Sequence, residues 1–411
     1  MIILRTGTEN FFSHDILKGI MIAASVGVGG GTDAYRAGRD ATVAALAGLP
    51  NNKANVVFVF ASVAFDQDKL IEGVVEATPE SVIIGCSTAG EISSEGFAME
   101  KGVVVMGIVS DQMEFFGGLG HHVLWNPKQA GEECANTIQY ASHGHVRTAL
   151  FFLDIISGNG EKTLGGILNH LGQDFPLWGG GAADDLLFFE TYQYLNDKVY
   201  SGSVVGVGMS GEFTSAGVVM HGFLPIGVER HVTKAEGNTL YELDGKPAAS
   251  IYEEYFGEAH ISDLHEGLLP SLAVSYPLGI FLPESNEVIL RNPVFVDQKW
   301  AMTFTASIPE GAEVRLMISD TEHNLEVAEL AARKVLEQLN GKKPKAVIIM
   351  NSVARKKMLG PRADEEIAII QKVFGRDVPM AGFYNYAQIG GQIGTQMPFH
   401  NGSLLIWALA E

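Results

Sequence analysis

Apolar and polar positions along the chain follow one recurring order. The apolar run Val56-Val57-Phe58-Val59-Phe60 precedes a helical stretch and a second run, Ser81-Val82-Ile83-Ile84. That run enters the loop Gly85-Cys86-Ser87-Thr88-Ala89-Gly90-Glu91-Ile92, and a third run begins at Gly102-Val103-Val104-Val105-Met106. The order returns from Ala149-Leu150-Phe151-Phe152-Leu153 through Gly179-Gly180-Gly181-Ala182-Ala183-Asp184-Asp185-Leu186 to Gly202-Ser203-Val204-Val205. It returns again from Ala346-Val347-Ile348-Ile349-Met350 through Gly382-Phe383-Tyr384-Asn385-Tyr386-Ala387-Gln388-Ile389 to Gly402-Ser403-Leu404-Leu405-Ile406. Short apolar runs bounded by glycine are strands covered on both faces, so each copy predicts strand, helix, strand, glycine-rich loop and strand. Equivalent loops of related units occupy equivalent places, and three loops of different chemistry would then surround one cavity.

Outside the copies the pattern changes. Tyr35 to Leu49 has Ala and Leu at helical spacing and stops before Pro50-Asn51-Asn52. Gly19 to Val26 is apolar but follows Glu9, His14 and Asp15 and is far shorter than the roughly 20 residues of a spanning helix. It predicts an internal strand feeding a turn at Gly27–Gly31, not a signal peptide. Ala248 to Phe256 reads as a helix, residues 272–318 as short strands punctuated by Pro277, Pro283 and Pro293, and Glu322 to Leu339 as an amphipathic helix. The fold class is mixed α/β (α+β): two related lobes built from repeated strand-helix-strand-strand units. Two sheets between helices in four αββα layers is one arrangement, and two separate sandwiches the other. The domains are an N-terminal segment, 1–30, then 31–235 and 236–411.

Composition narrows the partners. A formal net charge of -20 over 411 residues disfavours nucleic acid and anionic membrane, because few cations remain to neutralise phosphate. Cys86 and Cys134 are the two cysteines and have no metal-type spacing, so a disulfide-built secreted protein is disfavoured and the cytoplasm expected.

The loops carry candidate chemistry. Ser87 and Thr88 present hydroxyls among small residues, facing a ligand carboxylate or carbonyl. Glu91 aligns with Asp185 and Gln388, so that position is polar in every copy; each side chain either meets a ligand or caps a following turn. Tyr384 and Tyr386, two apart on an extended segment, point to one side as a cavity wall or as core. Arg291, in an apolar context before Asn292-Pro293, suits bidentate recognition of a carboxylate or an internal ion pair. His400 precedes a glycine turn and is an axial ligand for haem iron, a donor to a polar ligand, or a turn residue. Cys86 is a nucleophile only if a base lowers its pKa, and no adjacent histidine does so.

The first loop, with Phe60-Ala61-Ser62 and Phe65-Asp66 before it, resembles the signature of FIST N-domain proteins. Leu243-Asp244-Gly245-Lys246-Pro247-Ala248, Leu290-Arg291-Asn292-Pro293, Gln388-Ile389-Gly390 and His400-Asn401-Gly402 resemble the FIST C-domain, which commonly has Glu where this chain has Gln388. The resemblance implies an intracellular, non-enzymatic sensor of small ligands whose signal passes to a partner such as a histidine kinase or a cyclic-dinucleotide enzyme. Some members that the chain resembles bind haem and sense nitric oxide, whereas paired charges such as Arg291 and Glu91 would suit an amino-acid-like metabolite. The competing readings are a hydrolase or transferase using Cys86 or Ser87, and a ligand-free interaction scaffold.

Overall fold

Seven consecutive residues, Val56–Ser62, are all buried, as a strand with sheet neighbours on both sides and covered faces requires. In the computed structural model, which describes residues 22–96, 101–257, 275–282, 288–390 and 399–411, this strand lies in the first of three sheets with one common plan. Ala23–Gly30, Gly102–Val109, Val56–Ser62 and Val82–Thr88 lie side by side in that order. The second sheet repeats it with Met113–Gly120, Val204–Gly211, Thr148–Leu153 and Leu177–Gly181, and the third with Thr214–Met220, Leu404–Ala410, Pro344–Ser352 and Met380–Asn385. The last two strands of each set pair in parallel and the others antiparallel. The mixed α/β class and the repeated unit are thus present. Each unit begins one strand and one helix earlier than the sequence pattern suggested, with helices Ala34–Ala47, Pro127–Ala141 and Thr321–Gln338 in the equivalent places.

Each sheet is completed by a short strand from another unit. Gln193–Leu195 of the second unit pairs with Val82–Thr88 of the first. Gln388–Gly390 of the third pairs with Leu177–Gly181 of the second, and Glu91–Ser93 of the first with Met380–Asn385 of the third. The exchange closes a ring. Inside it Phe60 stacks on Phe383 at 4.6 Å between ring centroids, and Phe152 meets both at 5.7 and 5.8 Å.

Helix pairs cover the outside at glycine contacts. A Cβ on Gly38 would lie 2.3 Å from the Leu70 carbonyl oxygen, and one on Gly73 2.1 Å from that of Tyr35. The N-terminal strand shows the same economy of space. It runs on through the predicted turn as far as Gly30, because bare Cα atoms at Gly27 and Gly29 let helix Ala34–Ala47 lie against it. Gly19, Ile20, Met21 and Pro283 lie outside the described residues.

Between strand Thr214–Met220 and helix Thr321–Gln338 the third unit opens into an inserted sheet, of eight strands among the described residues, within residues 224–318. The insert has its own core, including Leu240, Tyr252, Leu278, Phe304 and Leu316. Among the described residues no helix is long and apolar enough to cross a membrane.

Candidate functional site

The glycine-rich loops meet where the three sheets converge and bond to one another there. Ala89 N donates to Tyr384 O at 2.9 Å, Tyr386 N to Gly181 O at 3.5 Å, and Ala183 N to Ser87 O at 3.0 Å, a cycle of main-chain bonds through all three loops. Ser87 is fixed inside this ring: its Oγ donates to Ala183 O at 2.8 Å and accepts from Tyr192 N at 2.9 Å. Thr88 Oγ1 donates to Glu91 Oε1 at 2.6 Å.

Glu91 is buried, and its Oε2 has no partner among the described residues. Burial pushes its pKa up to about 8, Asp185 acts in the same direction, and Lys356 opposes. Lys356 Nζ donates to Ala89 O at 2.7 Å and sits 5.1 Å from the centre of the Tyr384 ring. Gly90, at φ 120°, leaves room for that ammonium. The equivalents of Glu91 are the residues that open the other two exchanged strands, Gln193 and Gln388. Gln193 Oε1 accepts from Ser203 N at 3.3 Å and Gln388 Oε1 from Ser403 N at 3.0 Å. Asp185 is not the equivalent: residues 185–192 are additional in the second loop, and Asp185 stands exposed at φ 54°.

The other predicted residues separate. Arg291 is fully buried and committed: Nη2 meets Glu161 Oε1 at 2.8 Å, Nε donates to Ser307 O at 3.0 Å, and Nη1 donates to Leu290 O and Phe399 O at 3.1 Å. Glu161 Oε2 accepts from Ser307 N at 2.7 Å and also from its hydroxyl. Arg291 therefore ties the insert to the core. His400 Nε2 bonds to Gly390 O at 2.9 Å, and burial holds its pKa down to about 4. Cys86 is buried, which pushes its thiol pKa well up and keeps it protonated. Tyr384 is buried in the core.

A cavity of about 780 Å³, which Leu186 and Tyr386 of the second and third loops reach, lies between the core and the insert. Its floor is the carboxyl ends of two parallel-sheet strands: Ile155 to Asn159 follow Thr148–Leu153, and Ser352 ends Pro344–Ser352 with Val353 and Ala354 after it, the usual place for a ligand beside such strands. The insert supplies Asn238, Asn292 to Val294 and Thr303 to Thr305. Of the residues singled out in the sequence as ligand-binding, Tyr386 alone lines it. The Tyr386 hydroxyl donates to Asp184 and accepts from Leu186 N at 2.7 Å. Asp184 in turn accepts from Phe188 N, Phe189 N and Glu190 N at 2.7 to 3.0 Å. This carboxylate folds the additional loop so that Phe188 stacks on Tyr386, 4.8 Å between centroids.

Sequence reasoning missed Asp184, Lys162, Lys357 and the asparagines, because a cavity between non-adjacent segments has no spacing to read. Asn159, a helix N-cap whose side chain accepts from Lys162 N at 2.9 Å, was recoverable from capping preference. Haem does not fit the described lining, which contains no His, Cys or Met and whose tyrosine hydroxyl is engaged. Among the described residues no group of three or more His, Cys, Asp or Glu could hold a metal ion.

Family models match most of the chain: the FIST N domain over residues 55–246 and the FIST C domain over 248–391. An uncharacterized protein of Methanocaldococcus jannaschii is 30% identical over 219 residues, 49% of this chain and 41% of that protein. An uncharacterized protein of Mycobacterium tuberculosis is 25% identical over 235 residues, 56% of this chain and 60% of that protein. The chain therefore matches less than two thirds of the length of either relative. Among solved structures, a cyanuric acid hydrolase from A. caulinodans aligns over 95% of this chain and 99% of its own, with 8% identity and a TM-score of 0.38. A chorismatase aligns over 95% and 98%, with 10% identity and a TM-score of 0.35.

Proposed function

We propose a sensory function, on the premise that this chain belongs to the FIST family and carries its N and C domains in succession. FIST domains are signal-transduction sensor domains that bind small ligands. In our reading the ligand is a small carboxylate-bearing metabolite of the amino-acid or organic-acid kind, held between core and insert. The observation that carries this is the cavity itself, since residues of both family domains line it: Asn159 and Lys162 from the first, Asn292, Thr305 and Lys357 from the second.

The contacts beside the cavity supply a route for the signal. Asn159 and Lys162 flank Glu161, and Asn292 follows Arg291, so groups at the ligand adjoin the ion pair that joins the two bodies. A ligand that bridges them favours one arrangement of insert and core, and a signalling partner, a histidine kinase or a cyclic-dinucleotide enzyme, reads that arrangement.

The test is thermal unfolding of the chain with a panel of amino and organic acids, beside a Val353→Trp variant that fills the cavity. A panel member should raise Tm by several degrees in the parent and not in the variant. A silent panel, with a Soret band that survives gel filtration of protein from haem-supplied cells, would replace the metabolite by haem. Saturable turnover abolished by Cys86→Ala would replace the sensor by an enzyme.

A further inference from the structure

The cavity's charge is opposite to that of the molecule. Acidic residues number 48 against 28 basic, yet the charged side chains in the described lining are Lys162 and Lys357, both exposed and in no ion pair among the described residues, and no Asp or Glu is among the described lining residues. The nearest acids in sequence are spent internally. Glu161 gives its two oxygens to Arg291 and Ser307. Asp154 Oδ1 accepts from Ile156 N and Ser157 N, and its Oδ2 from Gly202 N and Ser157 Oγ, all at 2.9 Å. Asp184 is occupied by Tyr386 and the loop amides. A ligand ammonium entering this space would be desolvated with no carboxylate to receive it, whereas a ligand carboxylate would meet two ammonium groups.

The rest of the described lining sets apolar walls among uncharged polar groups, Asn159, Asn238, Asn292, Asn401, Thr303 and Thr305. Ile155, Ile156, Leu186, Val353 and Phe304 form walls, and Phe188, 47% exposed, offers an aromatic face. We infer that the ligand is an amphiphilic anion, a carboxylate on an apolar or aromatic body with no compensating ammonium, so that the site selects against zwitterionic amino acids. This rests on the cavity being the ligand site, and it narrows the carboxylate class named above.

Three compounds with one body separate the terms: 3-phenylpropanoate carries the carboxylate alone, phenylalanine both charges, and 2-phenylethylamine the ammonium alone. Each is titrated against the whole chain with the fluorescent aromatic anion 1-anilinonaphthalene-8-sulfonate bound. The reporter should light up in the parent and stay dark in Val353→Trp or, if that variant misfolds, in Val294→Trp. 3-Phenylpropanoate should displace it about tenfold or more better than phenylalanine, and 2-phenylethylamine not at all. Lys162→Met with Lys357→Met, two exposed positions, should remove most of that preference and its salt dependence. Equal displacement by phenylalanine, any displacement by the amine, or displacement by none of the three while the reporter still depends on the cavity overturns the charge inference and leaves the cavity reading standing. Reporter fluorescence unchanged in both filled variants overturns the cavity reading, and the inference with it.

Discussion

Among single residues Glu91 has the plainest measurable consequence. Its two counterparts in the ring are glutamines whose carbonyl oxygens accept a main-chain N–H, whereas Glu91 keeps one buried oxygen without a partner among the described residues. Its folded pKa, about 8, lies above the ordinary value of 4.5. Between those limits the folded protein holds a proton that the unfolded chain gives up, so this group stabilises the fold at low pH and its contribution is lost as pH rises toward 8. The loss is on the order of 2–4 kcal/mol. Glu91→Gln restores the amide of the other copies and should remove that part of the pH dependence. Asp185, raised in the same direction by partial desolvation, contributes to the slope in both proteins, so the difference between them is the quantity to read. Urea unfolding at pH 5.5 and pH 8 measures it, and equal slopes would refute the account. The sequence showed that this position is polar in all three copies but paired the wrong residue from the second. Residues 185–192 displace the true equivalent, Gln193, and a gapless alignment cannot see an insertion that leaves the strand register intact.

At the scale of elements, the strands were legible because each is a continuous apolar run, and helix Ala34–Ala47 because its periodicity ends at Pro50. The helix contacts were not, since they depend on residues without side chains. Gly38 and Gly73 face the backbone of each other's helix, and a Cβ at Gly73 would sit 2.1 Å from the Tyr35 carbonyl oxygen. Helix propensity alone would make Gly73→Ala stabilising by up to about 1 kcal/mol. The contact decides otherwise: the helices must part, and the variant should lose about 1–3 kcal/mol. Gly165, on helix Gly160–Leu171 with nothing among the described residues within 4 Å of an added Cβ, is the control, and Gly165→Ala should match or exceed the parent. Denaturant midpoints of the two variants in opposite order would remove the packing explanation. The closed ring of loops was misread for a related reason. Glycine-rich loops suggest room for a ligand, yet here main-chain donors of one loop meet main-chain acceptors of the next, and of the three loops only the second and third reach the described cavity lining, through Leu186 and Tyr386.

For the whole molecule, the threefold repetition could be read from the chain, and the cavity could not. It joins residues as far apart as Leu124 and Gly402, and its lower wall comes from an insert that interrupts the third unit and has no counterpart in the other two. The exchanged strands carry a further consequence. No unit owns a complete sheet, so the family's two domains are divisions of sequence and not separable bodies. Cleaving the chain genetically at Gly222 would leave one piece without the partner strand for Glu91–Ser93 and the other without the strand that Gln388–Gly390 edges. Each piece made alone should aggregate through its open edge. Made together they should assemble noncovalently and recover a single unfolding transition, and two independently folded pieces would contradict the ring. The same interlock makes the protein a natural candidate for splitting into a reporter whose halves find each other only while every sheet can be completed.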